Sequence, residues 1–125
     1  MPCRGIRGAI TVESDSVNSI LGATRQLLTH IVEANGVDVA DIASVLFTVT
    51  PDLTAAFPAR AARELGWQHV ALLDALEIPV PGSLPRCIRV LVHWNTSLAQ
   101  EEVRHIYLGD AAMLRSDLRD KSADE

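Results

Sequence analysis

The sequence predicts an α+β fold, a single mixed β-sheet carrying one long helix and one short helix. Three observations lead there. Apolar residues recur at helical spacing from Val17 to Val32, the only pattern of that length in the chain. Shorter apolar runs at 42–48, 67–73 and 86–94 have the length and composition of strands. A chain of 125 residues can build one core but has no room for a second. With 48% apolar and 22% charged residues, the composition is that of a folded globule and excludes a disordered, collagen-like or coiled-coil chain.

The elements follow in order. Residues 3–12 (CRGIRGAITV) read as a strand, with Arg4, Ile6 and Gly8 on one side and Cys3, Gly5 and Arg7 on the other. The next segment is the long helix. Val17, Ile20, Leu21, Thr24, Leu27, Leu28, Ile31 and Val32 form one buried stripe, Asp15 or Ser16 caps its start, and Asn35-Gly36 ends it. Ile42–Thr48 is a nearly continuous apolar run, as in a strand covered on both faces, and Thr50-Pro51-Asp52 breaks it. The short helix is expected over 54–65, with Pro58 in its first turn and Gly66 as its stop. On it Arg60 and Arg63 share a face, and Arg60 can pair with Glu64.

A third strand, 67–73, delivers Asp74 and Glu77 at or beyond its end, and the proline-rich stretch 79–85 (PVPGSLP) is a stiff loop. The strand 86–94 (RCIRVLVHW) alternates most cleanly. Ile88, Val90, Val92 and Trp94 must face the core, so Arg89 points the other way. A polar turn over 100–104 precedes a short extended or helical piece, 105–108, with the only tyrosine, Tyr107. The domain is expected to end near residue 116, leaving 117–125 as a charged, mobile tail. One long helix covers one sheet face, and the uncovered face calls for symmetric self-association.

The charge balance is 11 − 16 = −5, against a broad basic footprint for nucleic acid or an anionic membrane. No apolar stretch approaches the ~18 residues of a membrane span, and the N-terminus lacks the ~7–15-residue apolar run of a signal peptide. Cys3 and Cys87 are expected as reduced small hydrophobes in strands, in a cytoplasmic protein. Within the charge sum, ten of the eleven basic residues are arginine, whose fork suits bidentate binding of carboxylate or phosphate.

Motifs for familiar chemistry are absent. The histidines at 30, 69, 93 and 105 and the two cysteines lack metal-ligand spacing, and no metal is expected. There is no glycine-rich phosphate loop, no nucleophile elbow, and only five aromatic residues, too few for a base-stacking platform. What stands out is Arg7 and Arg89, each inside an otherwise apolar strand. A half-buried guanidinium needs a partner. Either Glu13, Asp74 or Glu77 supplies it internally, or a bound anion does, with Asp74, Glu77 and Tyr107 as nearby polar contacts.

The blocks Arg4-Gly5-Ile6-Arg7-Gly8-Ala9, Thr50-Pro51-Asp52-Leu53 through Phe57-Pro58-Ala59 and Arg63-Glu64-Leu65, and Cys87-Ile88-Arg89-Val90 with Arg104-His105-Ile106-Tyr107-Leu108 and Leu114-Arg115 resemble the AroH-class, trimeric bacterial chorismate mutases. The resemblance runs from about residue 4 to 118 with the blocks in the same order. It implies a homotrimer forming a pseudo α/β barrel with active sites at the subunit interfaces. It also implies a reaction, the Claisen rearrangement of chorismate to prephenate on the route to phenylalanine and tyrosine, with no cofactor. A concerted pericyclic shift needs no nucleophile, metal or proton transfer. The enzyme selects the reactive conformer and stabilises charge developing on the ether oxygen.

By that resemblance Arg89 donates to the ether oxygen and reaches a carboxylate, Arg7 and Tyr107 bind the side-chain carboxylate, and Glu77 accepts from the ring hydroxyl. Phe57 walls the pocket from the neighbouring subunit, Arg60 and Arg63 add positive potential, and Leu114 and Arg115 belong to a segment expected to order over the ligand. Asp74 stands where a cysteine is familiar, and is expected to couple with Glu77 so that one of them holds its proton more readily. Arg60 stands where lysine is familiar, and the turn after Leu65 is one residue shorter. Two other classes use the same arginines: a non-catalytic trimeric small-carboxylate binding module, and a hydrolytic or deaminating enzyme with Glu77 or a water as base.

Overall fold

The computed structural model describes residues 1–114, so Arg115 and the expected tail, 117–125, lie outside the described residues. Among the described residues the main elements run in the order β1 (Cys3–Thr11), α1 (Val17–Asn35), β2 (Ile42–Val49), α2 (Ala59–Glu64), β3 (Ala71–Leu76), β4 (Cys87–Asn95) and β5 (Ile106–Leu108). They form one mixed sheet in the order β3-β2-β4-β1-β5. The central strand β4 runs antiparallel to both β1 and β2, while β2 with β3 and β1 with β5 are parallel pairs. The parallel β2–β3 pair requires a crossover, and α2 lies in it.

Helix α1 begins where Ser16, with extended backbone, accepts the Ser19 N–H at 3.1 Å, and ends at Gly36 with φ 65°, a left-handed residue that suits glycine. Its stripe of Ile20, Leu27, Leu28 and Ile31 packs on one sheet face against Ile6, Ile10, Phe47 and the four even residues of β4, all buried. Gly8 lets the helix approach: a Cβ there would lie 3.0 Å from both Ile31 and Val90 side chains. The expected alternation of β4 is therefore present, with Arg89 on the face away from α1.

Two boundaries differ from the sequence reading, and the open choice at 105–108 falls to the extended alternative. The short helix spans only Ala59–Glu64 and starts after Pro58, which stands at its N-cap; residues 54–57 are held as a loop by the Asp15 carboxylate, which accepts from the Thr54 and Ala55 N–H groups at 2.9 Å. The third strand is Ala71–Leu76, not 67–73. Trp67 is a buried residue of the turn before it, so its apolarity marks core packing and not a strand. The piece at 105–108 is a strand, β5, added to the edge at β1. Cys3 is exposed rather than packed, and it sits at the opposite end of the β1–β4 pair from Cys87, so the two cannot bridge.

Candidate active site

The strand registers set two rows of side chains on the face away from α1. One row crosses the sheet as Ala75, Thr48, Arg89, Ala9 and Tyr107, and the next as Leu73, Leu46, Leu91 and Arg7. Strand pairing thus brings Arg7, Arg89 and Tyr107 together from three strands, with small Ala9 between Arg89 and Tyr107. Glu77 follows β3, where its N–H donates to the Val49 carbonyl at 2.9 Å, and its carboxylate lies 3.0 Å from Arg89 Nε. The internal partner left open by the sequence is therefore Glu77, for Arg89. Arg7 differs from expectation: it is exposed, and among the described residues it makes no ion pair.

The Arg89–Glu77 contact is close but badly aligned. Arg89 Nε is sealed from solvent, yet its N–H finds no acceptor in line, and the neighbouring Thr48 hydroxyl is also buried without a partner. The rest of the Arg89 side chain is 41% exposed, so its terminal N–H groups stay available. Tyr107 is 8% exposed, packed with Ala9, Cys87 and Ala111, and half-buried Leu114 closes over that cluster. Burial pushes the Tyr107 phenol above its ordinary pKa, and the Arg7 and Arg89 guanidiniums oppose the shift. The phenol is neutral at pH 7 and can donate. Burial also pushes the Cys87 thiol up, so it behaves as a small apolar group.

The other four expected residues gather elsewhere. Asp74 is opposite Phe47 in the sheet register, so it projects toward the α1 side, where its carboxylate accepts the Ala59 N–H at 3.0 Å. Burial raises its pKa, against the opposing effects of that N–H and of Arg63. The expected partnership with Glu77 finds no support in the geometry: Asp74 projects toward the α1 side, while Glu77, just past β3, reaches Arg89 on the other face. Phe57, Arg60 and Asp74 line a hollow of about 480 Å³ with Leu53, Pro58 and Leu76. Phe57 is 69% exposed there. Arg60 pairs with Glu64 at 3.5 Å, as its spacing predicts, and Arg63 lies on the same short helix.

Sequence reasoning missed two positioning groups. Asp52, read only as part of a strand breaker, accepts the Arg86 N–H at 2.9 and 3.1 Å and the Thr50 hydroxyl. Arg86 has φ 47°, a strained conformation for a side-chain-bearing residue, so Asp52 holds the turn that starts β4 and sets where Arg89 falls. His105 accepts the Arg7 backbone N–H through Nδ1 at 2.9 Å. The Thr-Pro-Asp turn chemistry was a signal for the first; nothing local signals the second. Among the described residues no three His, Cys, Asp or Glu side chains converge as metal ligands, and no helix is long and apolar enough to cross a membrane.

The family model for type I chorismate mutase matches residues 3–118. The chain is 60% identical over 116 residues to chorismate mutase AroH of Thermus thermophilus, covering 92% of this chain and 95% of that protein. It is 47% identical over 119 residues to chorismate mutase AroH of Bacillus subtilis (strain 168), covering 94% of each. Among solved structures, the chorismate mutase from Clostridium thermocellum superposes with a TM-score of 0.86 at 48% identity, over 87% of this chain and 97% of that one. On a match that spans the sheet, both helices and all the described candidate residues, the chain belongs to the type I chorismate mutase family.

Proposed function

We propose that this protein catalyses the rearrangement of chorismate to prephenate, the isomerase step toward phenylalanine and tyrosine, at a site built on Arg89. The carrying observation is the Arg89 side chain, fixed at Nε beside Glu77 and with its terminal N–H groups available, in a row with Tyr107 and next to Arg7. In the rearrangement the ether C–O bond breaks as a C–C bond forms, and negative charge grows on the departing oxygen. Fixed donors aimed at that oxygen stabilise the transition state more than the ground state. Arg89 supplies them, while Glu77 beside it holds the guanidinium in place and accepts from the ring hydroxyl. Arg7 and neutral Tyr107 grip the side-chain carboxylate and so select the compact conformer. The electron shift is concerted, so the mechanism calls for no cofactor.

Phe57, Arg60, Arg63 and Asp74 complete the pocket in this reading from a neighbouring copy. The support is their separation from Arg89 within one chain, together with exposed apolar side chains on β3 and the loop after it: Leu73 is 64% and Ile78 75% exposed. Apolar surface of that kind is usual at an interface. We read the assembly as a homotrimer closed into a pseudo-barrel and residues 1–116 as the catalytic domain; the roles expected of Arg115 and of 117–125 fall outside the described residues. A small-molecule substrate and copies of itself are the partners; a cytoplasmic location fits two free thiols. The test is to add purified protein to chorismate and follow its absorbance loss and prephenate formation. A rate equal to the spontaneous one would refute the assignment.

A further inference from the structure

We propose that His105 is a positioning residue for Arg7: its neutral imidazole anchors the Arg7 backbone and thereby sets the spacing between the Arg7 guanidinium and the Tyr107 phenol. The proposal rests on the reading that those two groups hold the substrate carboxylate. Strand β5 pairs with β1 only from Gly8 to Ile10. Arg7 faces Leu91 across the β4 side, and its N–H meets His105 one step before β5 begins. The imidazole therefore replaces a missing rung of the β1–β5 ladder, at 2.9 Å. A side chain can do this only if its own backbone is fixed. Asn35, at the end of α1, holds it: the Asn35 amide accepts the Arg104 N–H at 2.8 Å and donates to the Arg104 carbonyl at 2.9 Å. The chain from α1 through Arg104 and His105 to Arg7, and on through Ile106 to Tyr107, is continuous.

Accepting at Nδ1 requires the neutral ring with its proton on Nε2. The surroundings favour that state. His105 borders a hollow of about 320 Å³ to which β1 contributes Arg4 and Arg7, β4 contributes Leu91, and the segment before β5 contributes Gln100 and Val103. Both charged groups among these are cations. Burial lowers the imidazole pKa from its ordinary 6.5, and Arg7 lowers it further. The sign follows: with the folded value below the unfolded one, the bond is complete above about pH 6.5 and is lost as pH falls through the lowered value.

The experiment compares His105→Ala and His105→Asn in the full chain, using chorismate as the probe and amide hydrogen exchange at Arg7 as a readout independent of turnover. Asparagine keeps an acceptor near the Nδ1 position but does not titrate. At pH 7.5, H105A should raise KM about tenfold with kcat changed much less, the cost of one lost anchoring bond. H105N should bring KM back to within about threefold. The Arg7 protection factor should fall about tenfold or more in H105A and persist in H105N. As pH falls from 7.5 through the lowered imidazole value, the native protein should lose both affinity and Arg7 protection, and H105N should lose neither. Native KM and Arg7 protection in H105A, or the same loss in H105N as in H105A, would overturn the proposal. If the native protein does not rearrange chorismate, the proposed function fails, and the Arg7 protection factors still decide whether His105 anchors that strand.

Discussion

Asp74 and Arg89 leave the same sheet toward opposite faces: Asp74 is in register with core-facing Phe47, and Arg89 with Thr48, the next residue along β2. Within one chain, then, the residues expected to surround a single ligand fall into two groups. Arg7, Arg89, Glu77 and Tyr107 occupy the open face, and Phe57, Arg60, Arg63 and Asp74 surround the start of α2 beyond the edge strand. Two half-sites on separate surfaces can serve one substrate only if neighbouring copies bring them together.

Subunit mixing tests this. An Arg89→Gln chain and an Arg63→Ala chain should each form poorly active homotrimers. Unfolded together and refolded as mixed trimers, they should recover activity, because random assembly leaves roughly a quarter of interface sites with both halves intact. Sedimentation should give about three times the mass of one chain. No recovery on mixing would mean that each site is built within one chain.

Arg89 itself should dominate the rate. Arg89→Gln keeps the approximate length and a donor but loses the charge, and kcat should fall by about 100- to 1,000-fold, the cost of losing a preorganised donor at a developing oxyanion, ~2.7–4 kcal/mol. Circular dichroism and Tm should change little, since the Arg89–Glu77 contact is partly exposed and misaligned. A kcat within threefold of native would remove Arg89 from the reacting atoms.

Asp74 should behave as a structural acceptor. Burial holds its pKa above the ordinary 3.8, so its ionisation opposes folding. A group with a raised folded value contributes stability below the unfolded pKa and loses it as pH rises through the folded value. Asp74→Asn preserves an oxygen for the Ala59 N–H and removes the buried charge. It should raise Tm at pH 7 and flatten the pH dependence of stability above pH 3.8. A lower Tm at pH 7 would mean that attraction to Arg63 outweighs desolvation.

Much of the fold was legible because burial writes it into the pattern. Helix α1 and strand β4 each bury one stripe against the other, so their periods are clean, and the position of Arg89 followed from the alternation alone. The edge strand β3 was misplaced by several residues for the converse reason. Its Leu73 and Leu76 are exposed in the single chain, and an apolar edge without a buried partner carries no alternation to read. The same displacement explains Asp74: with the strand at 71–76 and not 67–73, it falls inside β3, where pairing with Phe47 fixes its face, and not at or beyond the strand's end. Site residues with strand-borne arginines were readable as an anion pocket. The bond from His105 to Arg7 was not, because it joins residues 98 apart through a backbone donor.

Gly8 offers a check on the packing that supports this face. It lies between Arg7 and Ala9, on the side turned toward α1, and a Cβ would meet Ile31 and Val90 at 3.0 Å and Leu27 at 3.1 Å. All three are buried core side chains, so Gly8→Ala is expected to overpack the helix–sheet interface. Overpacking of this kind costs about 1–3 kcal/mol. At the scale of a domain this size, that lowers Tm by roughly 3–10 °C. Because the strain acts on β1 between Arg7 and Ala9, affinity for chorismate should weaken even at temperatures where the variant remains folded. Thermal melts followed by calorimetry give the first quantity, and KM measured well below the lowered Tm gives the second. An unchanged Tm would mean that α1 can move away from the sheet without loss, contrary to the close packing seen at Gly8.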